Sequence, residues 1–417
     1  MVGTLPMELS HLTSLHFVDL NRNAIQGTIP QEYSNLERME FFDLRYNQLT
    51  GSIPIWIGGA WAEITEFALS NNNLTGSIPE SLRYLKKLRS LSLAQNHLNS
   101  TLVNLVGLSN LQFLYLENNR FSGQVDEDFL KDMGNLVQVD LSSNKLMGND
   151  LPVHLFQHPL LQVLDLGDNS LMGTIPVIME ENTALQFLSL SDNILTGSVP
   201  DSIAQLKALQ HLDITGNDVT GEIPSSLATM ESLTYLFLGQ NRFTAGPIPD
   251  FLRGMSQLRE LSLSFTKRNG TLSSDWLTSL PKLVLLDLSW NELTGTLPST
   301  IWAHPKLQYL LLNRNKFNGD FPPGIAETML QLLLLDKNGM TGNLSSACQY
   351  DVDYISADCE EITCDCCKCC NDDDMRCNQG IWDFNQEFSW EQNYTRVAYA
   401  FSPDLLDKPL PSGRKAV

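Results

Sequence analysis

Residues 185–200 read LQFLSLSDNILTGSVP, and the same phrase returns roughly every 24 residues from Leu15 almost to a cysteine-rich tail. The spacing marks a repeat array, in which one unit cannot bury its own leucines and neighbouring units must stack to hide them. In the first half of the phrase the side chains alternate. Leucines 185, 188 and 190 point inward, while Gln186, Phe187 and Ser189 look out from the concave face of a parallel sheet. Asn193 follows the strand, where its amide can bond backbone groups buried between coils. Gly197 opens backbone conformations closed to other residues, and Pro200 ends the hydrogen-bonded run, so the chain turns onto the convex side.

Aligning on that asparagine yields a ladder of Asn23, Asn47, Asn72, Asn96, Asn119, Asn144, Asn169, Asn193, Asn217, Asn241, Thr266, Asn291, Asn315 and Asn338, or fourteen turns. At about 4.8 Å per strand, a sheet on the order of 65 Å is expected. The short segments after each proline, such as residues 80–85 and 201–206, suit single turns of 3₁₀ or α character on the convex side. The register departs from the rule at a few places. Asn149 and Ala245 each mark about one extra residue, and at 264–270 Thr266 stands in the ladder while Arg268 replaces an apolar residue. Drift in a tolerant loop and a functional kink both explain that turn.

The phrase L-t-G-x-I-P recurs at 25–30, 49–54, 74–79, 219–224 and 293–298. With the fourteen-fold ladder, it resembles the plant-type class of leucine-rich repeats over about residues 1–344. That class includes ectodomains of receptor-like kinases, receptor-like proteins and polygalacturonase inhibitors. The resemblance implies a curved right-handed α/β solenoid and extracellular recognition of a protein, peptide or glycan through the concave face. The run from Cys364 to Cys370, followed by Cys377, is similar to the C-terminal segment of cell-surface leucine-rich repeat proteins from stramenopile algae. Relatives of that kind often carry a membrane span before the repeats.

The domain organisation expected is a remnant of a preceding repeat at 1–6, a solenoid at 7–344, a cysteine-rich cap at 345–402 and a flexible end at 403–417. Residues 1–6 resemble the close of a turn whose leucine strand lies elsewhere, so a truncated chain is expected, with any membrane attachment residing in the missing part. Across 417 residues the net charge is −21, which argues against nucleic acid and anionic membranes as primary partners.

Outward strand positions in the C-terminal half nominate an exposed apolar patch for ligand binding: Tyr235, Phe237, Phe265, Leu285, Trp290, Tyr309, Leu311, Leu332 and Leu334. The alternative is that these rings fold against one another along the sheet. A second column carries Asp19, Asp43, Asp140, Asp165, Asp213 and Asp287, where stacked carboxylates would attract a cation or raise a pKa, or merely form a solvated acidic face. All eight cysteines, Cys348, Cys359, Cys364, Cys366, Cys367, Cys369, Cys370 and Cys377, fall in the tail. They suit disulfides of unknown pairing in an oxidising compartment, or a thiolate site for zinc or copper(I). Sequons at Asn73, Asn99, Asn269, Asn343 and Asn393 are compatible with secretion and glycosylation.

No catalytic motif accompanies the scattered histidines, no cofactor motif is present, and a non-enzymatic protein without a resident metal is expected. Beside the surface receptor stand three rival readings. They are a secreted inhibitor of wall-degrading enzymes, a structural cell-wall or ice-surface protein using the polar ladder of Thr28, Ser52 and Ser77, and an intracellular scaffold with a metal-binding tail.

Overall fold

The computed structural model describes residues 1–370 apart from 126–127, 129, 149, 180–181, 183, 323–328 and 350–351. The expected cap beyond 370, the flexible end, Asn149, Cys377 and Asn393 therefore lie outside the described residues.

Each repeat contributes one three-residue strand to a parallel sheet, beginning with Phe17–Asp19, Phe41–Asp43 and Glu66–Ala68. Neighbours pair without slippage, as in Phe17↔Phe41 and Phe187↔His211. The register holds because a one-residue slip would turn every leucine of a strand to the wrong face. Leucines such as Leu164, Leu188 and Leu212 are buried in one continuous core that runs the length of the array. Each contributes roughly 1.5–3 kcal/mol through the apolar surface it hides.

Among the described residues the sheet has sixteen strands, two more than the ladder count, because Tyr354–Ala357 and Lys368–Cys369 extend it past residue 344. The sequence period ends there, but the pairing geometry does not. Asp358 supplies what backbone carbonyls of the next turn supply elsewhere, as Asp336 O and Lys337 O do for Arg314 and Asn315: its carboxylate accepts the Lys337 and Asn338 backbone N–H groups at 2.8 and 3.0 Å.

A second set of short parallel strands, which the leucine spacing does not reveal, is formed by the L-t-G phrase itself. Val2–Thr4, Ala24–Gly27 and Gln48–Leu49 pair in one group, and six strands from Gly246–Pro247 to Ile362–Thr363 form another. Residues 2–4 are thus a paired part of the array, with Val2 opposite Ala24. The repeat glycine is required where these coils meet. Gly197 has φ +75°, and a β-carbon there would lie 2.9 Å from Thr174 Cγ2. Thr28 and Ser52 of the polar ladder abut the next repeat's glycine in the same way, at Gly51 and Gly76. Behind the prolines come single 3₁₀ turns such as Glu80–Tyr84 and Asp201–Gln205, with short α-helices at Ile57–Ala60, Val153–Phe156 and Ser274–Thr278.

The asparagine ladder works as a four-bond clamp. Asn72 Nδ2 donates to Leu69 O and Ser70 O of its own turn and to Leu44 O of the preceding one, while Oδ1 accepts the Leu49 N–H at 2.9 Å. To reach this position the chain takes a left-handed residue just before the ladder residue, with φ from 49° at Asp192 to 60° at Lys337 among the non-glycine cases.

Candidate recognition surface

The nine-residue patch expected to be exposed is divided by the fold. Leu285, Tyr309, Leu311, Leu332 and Leu334 are buried and pack as a small second cluster with Val284 and Tyr354, while Phe237 is buried separately and Tyr235 half-buried. Directly opposed strands bring Leu285 beside Tyr309 and Leu311 beside Leu334, so these outward side chains cover one another. Tyr309 OH is also engaged, donating to Gln331 Oε1 at 2.9 Å.

Phe265 and Trp290 behave differently. They are 55% and 44% exposed, and they stand in the left-handed position of successive turns, with φ 52° and 54°, rather than on the strands. Their rings are 5.9 Å apart at an interplanar angle of 57°. On the next turn the Arg314 guanidinium lies 4.1 Å from the centre of the Trp290 ring, a cation–π contact that pure alternation counting misses. The signal was present in the sequence as one residue type per turn immediately before the ladder position.

The acidic column is interrupted and largely structural. Asp19 pairs with Asp43 and Asp140 with Asp165, but Ser189, Phe237, Ser262 and Leu311 break the remaining series. Every aspartate of the set accepts the backbone N–H two residues on, from 2.8 Å at Asp213 to 3.2 Å at Asp19. The carboxylate therefore closes the strand end before it can serve a ligand. Asp43 is further tied to Arg45 at 2.7 Å. The strongest electrostatic tension lies at Glu117, Asp140 and Asp165. Burial first, and then the Asp140 charge, push Glu117 and Asp165 well above the usual carboxylate range, and burial raises Asp140 itself. Farther along, burial brings Glu260 to about 7, and burial with the Asp213 and Asp168 charges brings Asp192 to about 6.

His211, on the same strand as Asp213, sits in an aromatic stack. Its ring lies 4.3 Å from Phe187 and 5.5 Å from Phe237, and burial pulls its pKa down to about 3, so it is neutral at physiological pH. A neutral, stacked imidazole is a packing group and gives no support for acid–base chemistry.

The described cysteines of the tail are oxidised. Cys348 bonds Cys366, Cys359 bonds Cys369, Cys364 bonds Cys367, and Cys370 is also disulfide-bonded. Four sequon asparagines, Asn73, Asn99, Asn269 and Asn343, are exposed. Among the described residues no helix is long and apolar enough to cross a membrane.

Comparison with known proteins agrees with this geometry. The family description "Leucine-rich repeat region" matches residues 140–320, and two further leucine-rich repeat descriptions match 62–121 and 38–60, together more than half of the chain. Pollen receptor-like kinase 2 of Arabidopsis thaliana is 36% identical over 109 residues, which are 26% of this chain and 17% of the kinase. Receptor-like protein 39 of the same plant is 30% identical over 109 residues, 26% of this chain and 12% of its own length. The match thus spans less than a fifth of either curated relative. Among solved structures, the ectodomain of the Arabidopsis receptor kinase HAESA, in complex with an N-terminally extended IDA peptide hormone, aligns with a TM-score of 0.69 at 29% identity. That alignment covers 89% of this chain and 65% of HAESA's. A leucine-rich repeat protein of Leptospira interrogans aligns at 0.64 and 26% identity over 86% of both chains.

Proposed function

The chain belongs to the plant-type leucine-rich repeat proteins, and on that premise we propose that it is a ligand-recognition module of a receptor-like protein at the cell surface, binding an extended peptide or protein segment. The observation that carries the reading is the exposed pair Phe265 and Trp290, with Arg314 stacked on the latter. Aromatic rings and arginine are the side chains that most often anchor interfaces. Here they are carried on a rigid, repeated backbone, which limits the ordering lost on binding. The HAESA ectodomain, a structural neighbour, is itself described in complex with a peptide hormone. Disulfides and exposed sequons support an extracellular setting.

The test is a panel of secreted peptides immobilised for binding to the whole chain. Trp290→Ala combined with Phe265→Ala is expected to lower the affinity of a captured peptide at least tenfold, with circular dichroism unchanged because neither ring belongs to the core. A captured peptide whose affinity does not move removes this rim as its site.

A further inference from the structure

We infer that the bridges Cys348–Cys366 and Cys364–Cys367 together form a convertible site: oxidised, they are two disulfides; reduced, their four sulfurs hold one zinc ion. The Sγ atoms of Cys348, Cys364 and Cys366 lie within 4.8 Å of one another, and Cys367 is bonded to Cys364. A tetrahedral four-thiolate zinc site, with Zn–S near 2.3 Å, requires sulfurs about 3.8 Å apart. Three of the four atoms thus already lie close together, and Cys367 Sγ, released from Cys364 on reduction, supplies the fourth.

The backbone that carries them is held independently of the sulfur bonds. On one side of the Cys364–Cys367 segment, Thr363 pairs with Asn343 in the convex strands and its carbonyl accepts the Leu344 N–H at 2.8 Å. On the other side, Lys368 pairs with Ser356 in the concave sheet, and the Cys370 N–H bonds Ala357 O at 3.0 Å. Cys348 sits in the 3₁₀ turn Ser345–Gln349, whose Ala347 is fully buried. Hydrogen bonds of the two sheets thus flank the Cys364–Cys367 segment while a turn with a buried Ala347 carries Cys348, and a preorganised ligand set binds metal with less ordering.

Two further features favour conversion. Cys364 and Cys367 are only three residues apart, so their bridge restrains little of the unfolded chain and adds little stability. Cys366 is exposed, which opens the Cys348–Cys366 bridge to an attacking thiolate. Each bridge takes two electrons and two protons from a dithiol reductant, which is itself oxidised to a disulfide. Zinc then displaces four thiol protons as four Zn–S bonds form. An all-sulfur set selects zinc or copper(I) over calcium and magnesium, and zinc is assigned because it prefers the tetrahedral four-ligand geometry.

The experiment uses the full chain. It is reduced with a dithiol under inert gas, freed of reductant, supplied with one equivalent of zinc and desalted. Bound metal is then counted, and alkylation is mapped by peptide mass spectrometry. The expected result is one zinc per chain with Cys348, Cys364, Cys366 and Cys367 protected from alkylation, while Cys359 and Cys369 are labelled. Cobalt in place of zinc should give a tetrahedral thiolate spectrum. Cys366→Ser should weaken zinc at least a hundredfold, and the Cys359→Ser/Cys369→Ser variant should retain it. A reduced chain that keeps no zinc, protects a different set, or loses the circular dichroism of the array overturns the assignment.

Discussion

The turn closed by Asn291 and the turn closed by Thr266 are adjacent, yet they solve the same problem with different chemistry. Asn291 clamps in the ordinary way, donating to Leu288 O, Ser289 O and, in the preceding turn, Leu263 O. Thr266 has no such reach. Its hydroxyl donates to Leu263 O of its own turn at 2.6 Å, and among the described residues it makes no bond to the preceding turn. Two residues on, where neighbouring repeats place Phe243 or Leu293, the buried Arg268 enters instead. Its guanidinium donates to Thr266 O, to Pro247 O at 3.3 Å and to Thr244 O, reconnecting the coil to the turn before it. The departure at 264–270 is therefore a compensated exchange: an amide lost from the ladder is replaced by a guanidinium in the core. Burial pulls the Arg268 pKa down, with Glu222 opposing, but an arginine remains charged.

That comparison can be broken from the ordinary side first. Asn291 accepts from both Thr266 and Arg268 backbone N–H groups, at 3.1 and 2.8 Å, in addition to its three donations. Asn291→Ala should therefore destabilise the array by about 3–4 kcal/mol, more than the same change at Asn217, read by urea denaturation. Arg268→Leu comes next, at about 2–3 kcal/mol, because it leaves carbonyls of two turns without donors. Adding Thr266→Asn to it should recover most of that loss. Simple additivity of the two changes would show that the residues are not exchanging roles.

Gly197→Ala should cost about 1–2 kcal/mol, from the left-handed backbone and the approach of Thr174, and Thr174→Ser should relieve part of it. The smallest effect concerns pH. The folded-state pKa values of Glu260 and Asp192, about 7 and 6, exceed their ordinary values, so the folded chain binds more protons than the unfolded one between about pH 4 and 7. Stability from these groups should therefore fall as pH rises through that window. Glu260→Gln should flatten the dependence, measured by thermal melts from pH 5 to 8.

Much of this architecture is legible in the sequence, because leucine spacing dictates both the face and the register of each strand. The ladder asparagines and the convex turns follow from residue type and position, whereas the cysteine spacing left disulfides and a thiolate site both open. The second set of strands was hidden because L-t-G carries no alternating pattern long enough to read. The extension to Lys368–Cys369 was hidden because the leucine period stops at residue 344 and no ladder asparagine follows Asn338. For the candidate site, alternation identified outward residues but not their exposure. Leu311 and Leu334 are outward yet cover each other across a strand pair, whereas Phe265 and Trp290 owe their exposure to the turn.

The left-handed residue that precedes each ladder position limits what this molecule can write on its rim. That column contains Arg22, Tyr46, Gln95, Ser143, Asp168, Phe265, Trp290 and Lys337, and no valine, isoleucine or threonine occurs among its non-glycine members. A branched β-carbon is strongly disfavoured at such a φ, while straight, amide, charged and aromatic side chains are tolerated. Point substitutions there can exchange charge for ring or ring for amide without disturbing the core. The rim is thus a variable text in a restricted alphabet, and new specificities can arise along it one letter at a time.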